Sequence, residues 1–111
     1  MAIAPFAHSP IRTSCCSRWN NREGRTPDQF KHWLITNAGG YDEVTYRPRG
    51  RSWFVLSGYR GDDIYYEKVM FSCGGQVVNV MAVTYPSGER DVYDPVVERM
   101  EDGFRPARSC S

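Results

Sequence analysis

Ser52-Trp-Phe-Val-Leu-Ser-Gly-Tyr59, Arg60-Gly-Asp-Asp63 and Ile64-Tyr-Tyr-Glu-Lys-Val-Met-Phe71 are one continuous stretch: two runs rich in aromatic and β-branched residues, split by four turn formers. Such residues suit a pleated, half-buried surface, and Gly-Asp suits a tight reversal, so the stretch reads as a β-hairpin. Downstream, Gly74-Gly75 supplies another turn, and Gln76 to Tyr85 reads as a further strand in which Val78, Val80, Ala82 and Thr84 alternate with Val77, Asn79, Met81 and Val83. Upstream, Asp42 to Arg47 alternates in the same way before the turn formers Pro48-Arg-Gly-Arg51. Short connections make successive strands antiparallel neighbours, so the expectation is a four-stranded meander.

A helix is expected on either side of this sheet. Thr26-Pro-Asp-Gln29 offers an N-cap hydroxyl, proline at the first helical position and Gln at the capping-box position. Phe30, Trp33, Leu34 and Asn37 then recur at helical spacing until Gly39-Gly40, which predicts a helix over about 27–38. Ser87 to Gly103 reads as a second helix with Val96, Val97, Met100 and Phe104 on its inner face, kinked or divided at Pro95. The expected fold class is α+β, with both helices packed on one sheet face. Trp53, Tyr59, Tyr65, Tyr66 and Phe71 occupy both strand parities, more than one covered face needs, so the other face is expected to meet a partner or a second copy of the chain.

The 111 residues suffice for one small domain. Residues 26–106 read as that domain, residues 1–25 as an irregular, dispensable N-terminal tail and residues 107–111 as a C-terminal tail. The N-terminal segment lacks the leading charge and long apolar core of a signal peptide, and no apolar run approaches the roughly 20 residues of a membrane-crossing helix. The chain therefore reads as soluble, and as exported only if a signal lies upstream. Fourteen basic against thirteen acidic residues leave a net charge of +1, so nucleic acid is not an expected partner.

The hairpin, together with Thr84-Tyr-Pro86 and Tyr93-Asp-Pro-Val-Val-Glu-Arg-Met100, resembles small uncharacterised bacterial proteins and, with them, the C-terminal part of the PsbP-like α/β/α group. In that group further strands precede the first helix. Residues 1–25 do not read as those strands, so the domain is expected to be N-terminally incomplete. The resemblance covers about residues 26–106, carries no shared catalytic motif, and implies a binding or assembly factor rather than an enzyme.

Candidate chemistry is sparse. No Ser/His, zinc, phosphate-loop or dinucleotide motif is present, so no catalytic residue, metal or cofactor is expected. Arg47, Arg49 and Arg51 form an alternating basic rim that could grip an acidic group through their guanidinium forks, and Tyr65 and Tyr66 place one aromatic ring on each side of the sheet. These five are the candidate binding residues, for self-association or a protein partner. Asp62-Asp63 has too few oxygen ligands for a cation loop and reads as turn chemistry. The alternative function is an enzyme accessory or a thiol or hydrolase fragment using Cys73 or His32; His8 is the other histidine. Cys15, Cys16, Cys73 and Cys110 lack metal-ligand spacing and are expected to be ordinary thiols, a Cys73–Cys110 bridge being the lesser reading.

Overall fold

The computed structural model describes residues 12–13, 17–38, 41–106 and 110. Strands β3 (Glu43–Tyr46), β4 (Trp53–Arg60), β5 (Asp63–Ser72) and β6 (Val77–Pro86) pair antiparallel in chain order, which is the meander read from the sequence. Arg60 pairs with Asp63, which leaves Gly61 and Asp62 as the turn. Asp62 is thus a turn residue and Asp63 opens β5, with the Asp42 carboxylate accepting the Gly61 N–H at 2.6 Å. At the opposite end Gly74 and Gly75 take φ of 67° and 92°, a region costly for any side chain. Gly58 serves packing instead: a Cβ there would collide with the carbonyl oxygen of Glu43, so β3 could not approach β4.

The sheet has a fifth lane. Strands β1 (Arg12–Thr13) and β2 (Ser17–Asn20) both pair antiparallel with β6, Arg12 opposite Thr84 and Ser17 to Asn20 opposite Val80 to Val77. The irregular structure expected over residues 1–25 is therefore corrected at residues 12–13 and 17–20, which pair as strand. An exposed edge strand needs only backbone hydrogen bonds and shows no apolar alternation, and Ser-Arg-Trp-Asn has none. The lane is also tied to the core. Trp19 stacks near Phe30 with ring centroids 6.0 Å apart, and the Asn21 amide donates to the carbonyls of Arg25 at 2.8 Å and Gly75 at 2.9 Å.

Helix α1 (Pro27–Trp33) starts as its sequence requires, with Thr26 and Gln29 exchanging capping-box hydrogen bonds. Its last turn widens into a π-helical segment, Leu34–Ala38; the Gly39-Gly40 stop lies outside the described residues, as do His8, Cys15, Cys16 and the segment read for a signal. Helix α2 (Arg90–Gly103) follows a short 3₁₀ turn and runs through Pro95 as one helix, not two pieces. The N–H that proline lacks would have served the carbonyl of Asp91, an exposed residue that water can reach. Among the described residues no helix is long and apolar enough to cross a membrane.

The two helices lie on opposite faces. Phe30 and Leu34 pack on Phe54, Leu56, Val69, Phe71, Val78 and Val80, whereas Val97 and Phe104 pack on Ile64, Met81, Val83 and Tyr85. Along β6 the even positions 78 and 80 meet α1 and the odd positions 81, 83 and 85 meet α2, and alternation makes those opposite sides. The placement of both helices on one face is thus corrected. Strand periodicity identifies two apolar parities without saying which helix takes which. The aromatic surplus is correspondingly accounted for without an open face, because each parity has its own helix. The α2 stripe is shifted as well: Tyr93, Val97, Met100 and Phe104 face the sheet, and Val96 is 40% exposed.

Candidate tyrosine and acid groove

Because α2 leaves β6 through a tight turn, it lies over one end of the sheet and leaves space beside β3, β4 and β5. The result is a groove of about 630 Å³ lined by Tyr46, Tyr59, Tyr66 and Tyr85 from the strands and by Asp94, Glu98, Glu101 and Asp102 from the helix, with Arg90 at one end. Helical spacing causes this: 94, 98, 101 and 102 recur at three and four residues, so one flank of α2 presents all four carboxylates.

Helix and sheet meet here through polar contacts. Tyr85 donates its hydroxyl to Asp94 at 2.6 Å and Tyr66 to Glu101 at 3.3 Å, while Lys68 Nζ lies 2.7 Å from Glu101. Arg90 reaches both Asp94 and the Tyr59 hydroxyl at 3.4 Å. Burial, then the neighbouring carboxylate, pushes the Tyr66 phenol well above its ordinary value. At Tyr85 burial and the hydrogen bond to Asp94 do the same. Both phenols stay neutral donors at physiological pH, and the groove's negative charge is that of its carboxylates.

The sequence-derived candidates are scattered. Tyr66 lines the groove; Tyr65 lies on the opposite face, as alternation requires. There Tyr41 donates to the buried Glu67 carboxylate at 2.9 Å, Tyr65 lies 3.5 Å from its other oxygen, and Arg60 sits 4.4 Å above the Tyr65 ring. Burial drives the Glu67 carboxyl above the usual range, more than its tyrosine donors lower it. The three arginines have different surroundings. Arg49 binds both oxygens of Asp28 at 2.7 and 2.8 Å, fastening the loop to α1. Arg51 lines a separate cavity of about 660 Å³ with Arg25 and Gly75, and Arg47 is exposed after β3.

Cys73 and Cys110 are disulfide-bonded, their Cα atoms 5.6 Å apart, which corrects the expectation of ordinary thiols. Of the C-terminal tail, residues 107–111, only Cys110 is described, and the bond holds it at the β5–β6 turn. Cys73 therefore presents no thiol nucleophile. His32 is exposed on α1, its carbonyl accepting the Thr36 hydroxyl at 2.8 Å.

Sequence reasoning missed the groove although its residues were visible. Asp94, Glu98, Glu101 and Asp102 share a helical flank, but such a flank ordinarily faces water. Only the register of α2 against β5 and β6 sets it beside tyrosines. Among the described residues no group of three or more His, Cys, Asp or Glu is placed to hold a metal ion. No family model, curated protein or solved structure matches the chain.

Proposed function

We propose that this protein is a non-catalytic binding or assembly module whose ligand surface is the groove between α2 and β3–β5. The observation that carries the reading is a concave site walled by four tyrosines and four carboxylates, beside a firmly packed apolar core. Amphipathic rings and convergent polar groups in a cleft are the chemistry of recognition. The PsbP-like resemblance implies the same class of role. Of the candidates read from the sequence, Tyr66 lines the groove and Arg47 follows Tyr46 at the end of β3, while Tyr65 meets Glu67, Arg49 binds Asp28 and Arg51 lines the other cavity.

The test is an array of peptides, glycans and small organic cations probed with the folded chain, with Ser57→Trp, which fills the groove, and with Tyr46→Ala, which removes an exposed ring. Binding that both variants lose while keeping the parent circular dichroism supports the reading. Absence of any ligand, or ligands held equally by both variants, overturns it.

A further inference from the structure

We propose that the groove takes an extended basic peptide, with arginine or lysine side chains entering it and the peptide backbone lying along β3. This deepens the groove reading and rests on it. Two independent features point to such a ligand.

The first is the division between committed and uncommitted charge. Arg90 is engaged by Asp94, and Lys68 holds Glu101 from beneath. The carboxylates of Glu98 and Asp102, both exposed, make no ion pair or hydrogen bond with any described residue; the Arg105 guanidinium donates to the Asp102 backbone carbonyl instead. The lining thus offers four carboxylates against one guanidinium already in use. An anionic ligand would meet like charge, and a purely apolar one would strip water from carboxylates without replacing it. A guanidinium or ammonium head on an aliphatic stem satisfies both surfaces: its charge meets Glu98 and Asp102, and its stem lies along the rings of Tyr46 and Tyr59.

The second feature is the groove's outer wall. Thr45 and Tyr46 belong to β3, the last lane on that side of the sheet, and no described strand pairs with its outer edge. An unpaired edge offers main-chain donors and acceptors to an incoming strand, and alternate side chains of that strand then fall on one face. An edge beside an acidic, ring-lined hollow selects a peptide with basic residues at alternate positions, and distinguishes it from a free polyamine.

The experiment measures binding of three acetylated hexapeptides, alternating valine with arginine, glutamine or glutamate, and of spermidine, with backbone amide shifts as readout. The arginine peptide should bind best, weaken with added salt, and shift amides of β3 and of the 94–102 segment of α2. The double variant Glu98→Gln, Asp102→Asn should weaken it about fivefold, as expected for two exposed charge contacts. Glu89→Gln, an exposed acid outside the groove lining, should not. Glutamine or glutamate peptides binding as well, or spermidine matching the arginine peptide, overturns the proposal. If another ligand class binds at the groove, the binding-module reading stands without the basic-peptide assignment. If no ligand of any class binds there, both fall.

Discussion

The two faces of this sheet are held to their helices by different physics. Under α1 the contact is ring against ring: the Phe30 centroid lies 5.8 Å from that of Phe71 and 6.4 Å from that of Phe54 in the sheet, with Trp33 of the same helix 5.6 Å away. Under α2 Val97 and Phe104, with Tyr93 and Met100, pack on the sheet, and beside them Tyr66, Lys68 and Tyr85 reach carboxylates of the helix. The short helix α1 seats one buried ring, Phe30, on its face, beside the cavity that Thr26, Pro27 and Phe71 line. A longer helix with a polar flank leaves a groove. Apolar contact gains with the area removed from water, whereas carboxylates and phenols are satisfied at fixed distances and tolerate water between them.

The largest expected effect is on the α1 side. Phe30→Ala removes the ring shared by four aromatic neighbours and should cost about 3–5 kcal/mol, read as a fall in the urea midpoint. A loss below about 1 kcal/mol would show that the ring cluster is not what holds α1 to this face.

Replacing both Cys73 and Cys110 by serine opens a link across 37 residues, and a loss of about 2–4 kcal/mol is expected from denatured-chain entropy. If the variant instead matches the parent under oxidising conditions, the end of the chain contributes little to either face.

On the α2 side Tyr85→Phe removes one hydroxyl donated to a partly exposed carboxylate, and should cost about 1 kcal/mol. An effect as large as that of Phe30→Ala would erase the distinction between the faces.

Glu67, on the α1 face beyond the ring cluster, gives a pH signature. Its folded carboxyl holds a proton to higher pH than the ordinary value near 4.5, so its contribution is greatest below that value and is lost as pH rises through the raised one. Glu67→Gln should flatten this fall in a series of urea midpoints from acid to neutral pH. An unchanged slope would show that Glu67 is not its source.

The smallest effect is expected at Val96. Val96→Asp should stay within about 0.5 kcal/mol, because the side chain points to water. Marked destabilisation would restore Val96 to the buried stripe.

The legible part of the fold is local. Thr26-Pro-Asp-Gln29 specifies a helix start through hydrogen bonds within four residues, Arg60 to Asp63 specifies a turn, and alternation specifies the strands of the meander. All of these follow from the backbone and its nearest neighbours. The edge lane of Ser17 to Asn20 left no such trace, since its bonds are to the backbone of a strand some sixty residues later. The Cys73–Cys110 bond likewise joins positions whose spacing carries no instruction.

The sequence by itself determined which residues are apolar, at what period, and where the chain turns, because propensity, capping and alternation act over a few residues. Only the tertiary structure decided which parity meets α1 and which meets α2, and so where the groove lies. The choice depends on how each helix crosses the sheet after a short connection. Opposite parity at Tyr65 and Tyr66 sends one ring to Glu67 and the other to Glu101; the sequence required them to part, and packing alone settled which joined the groove.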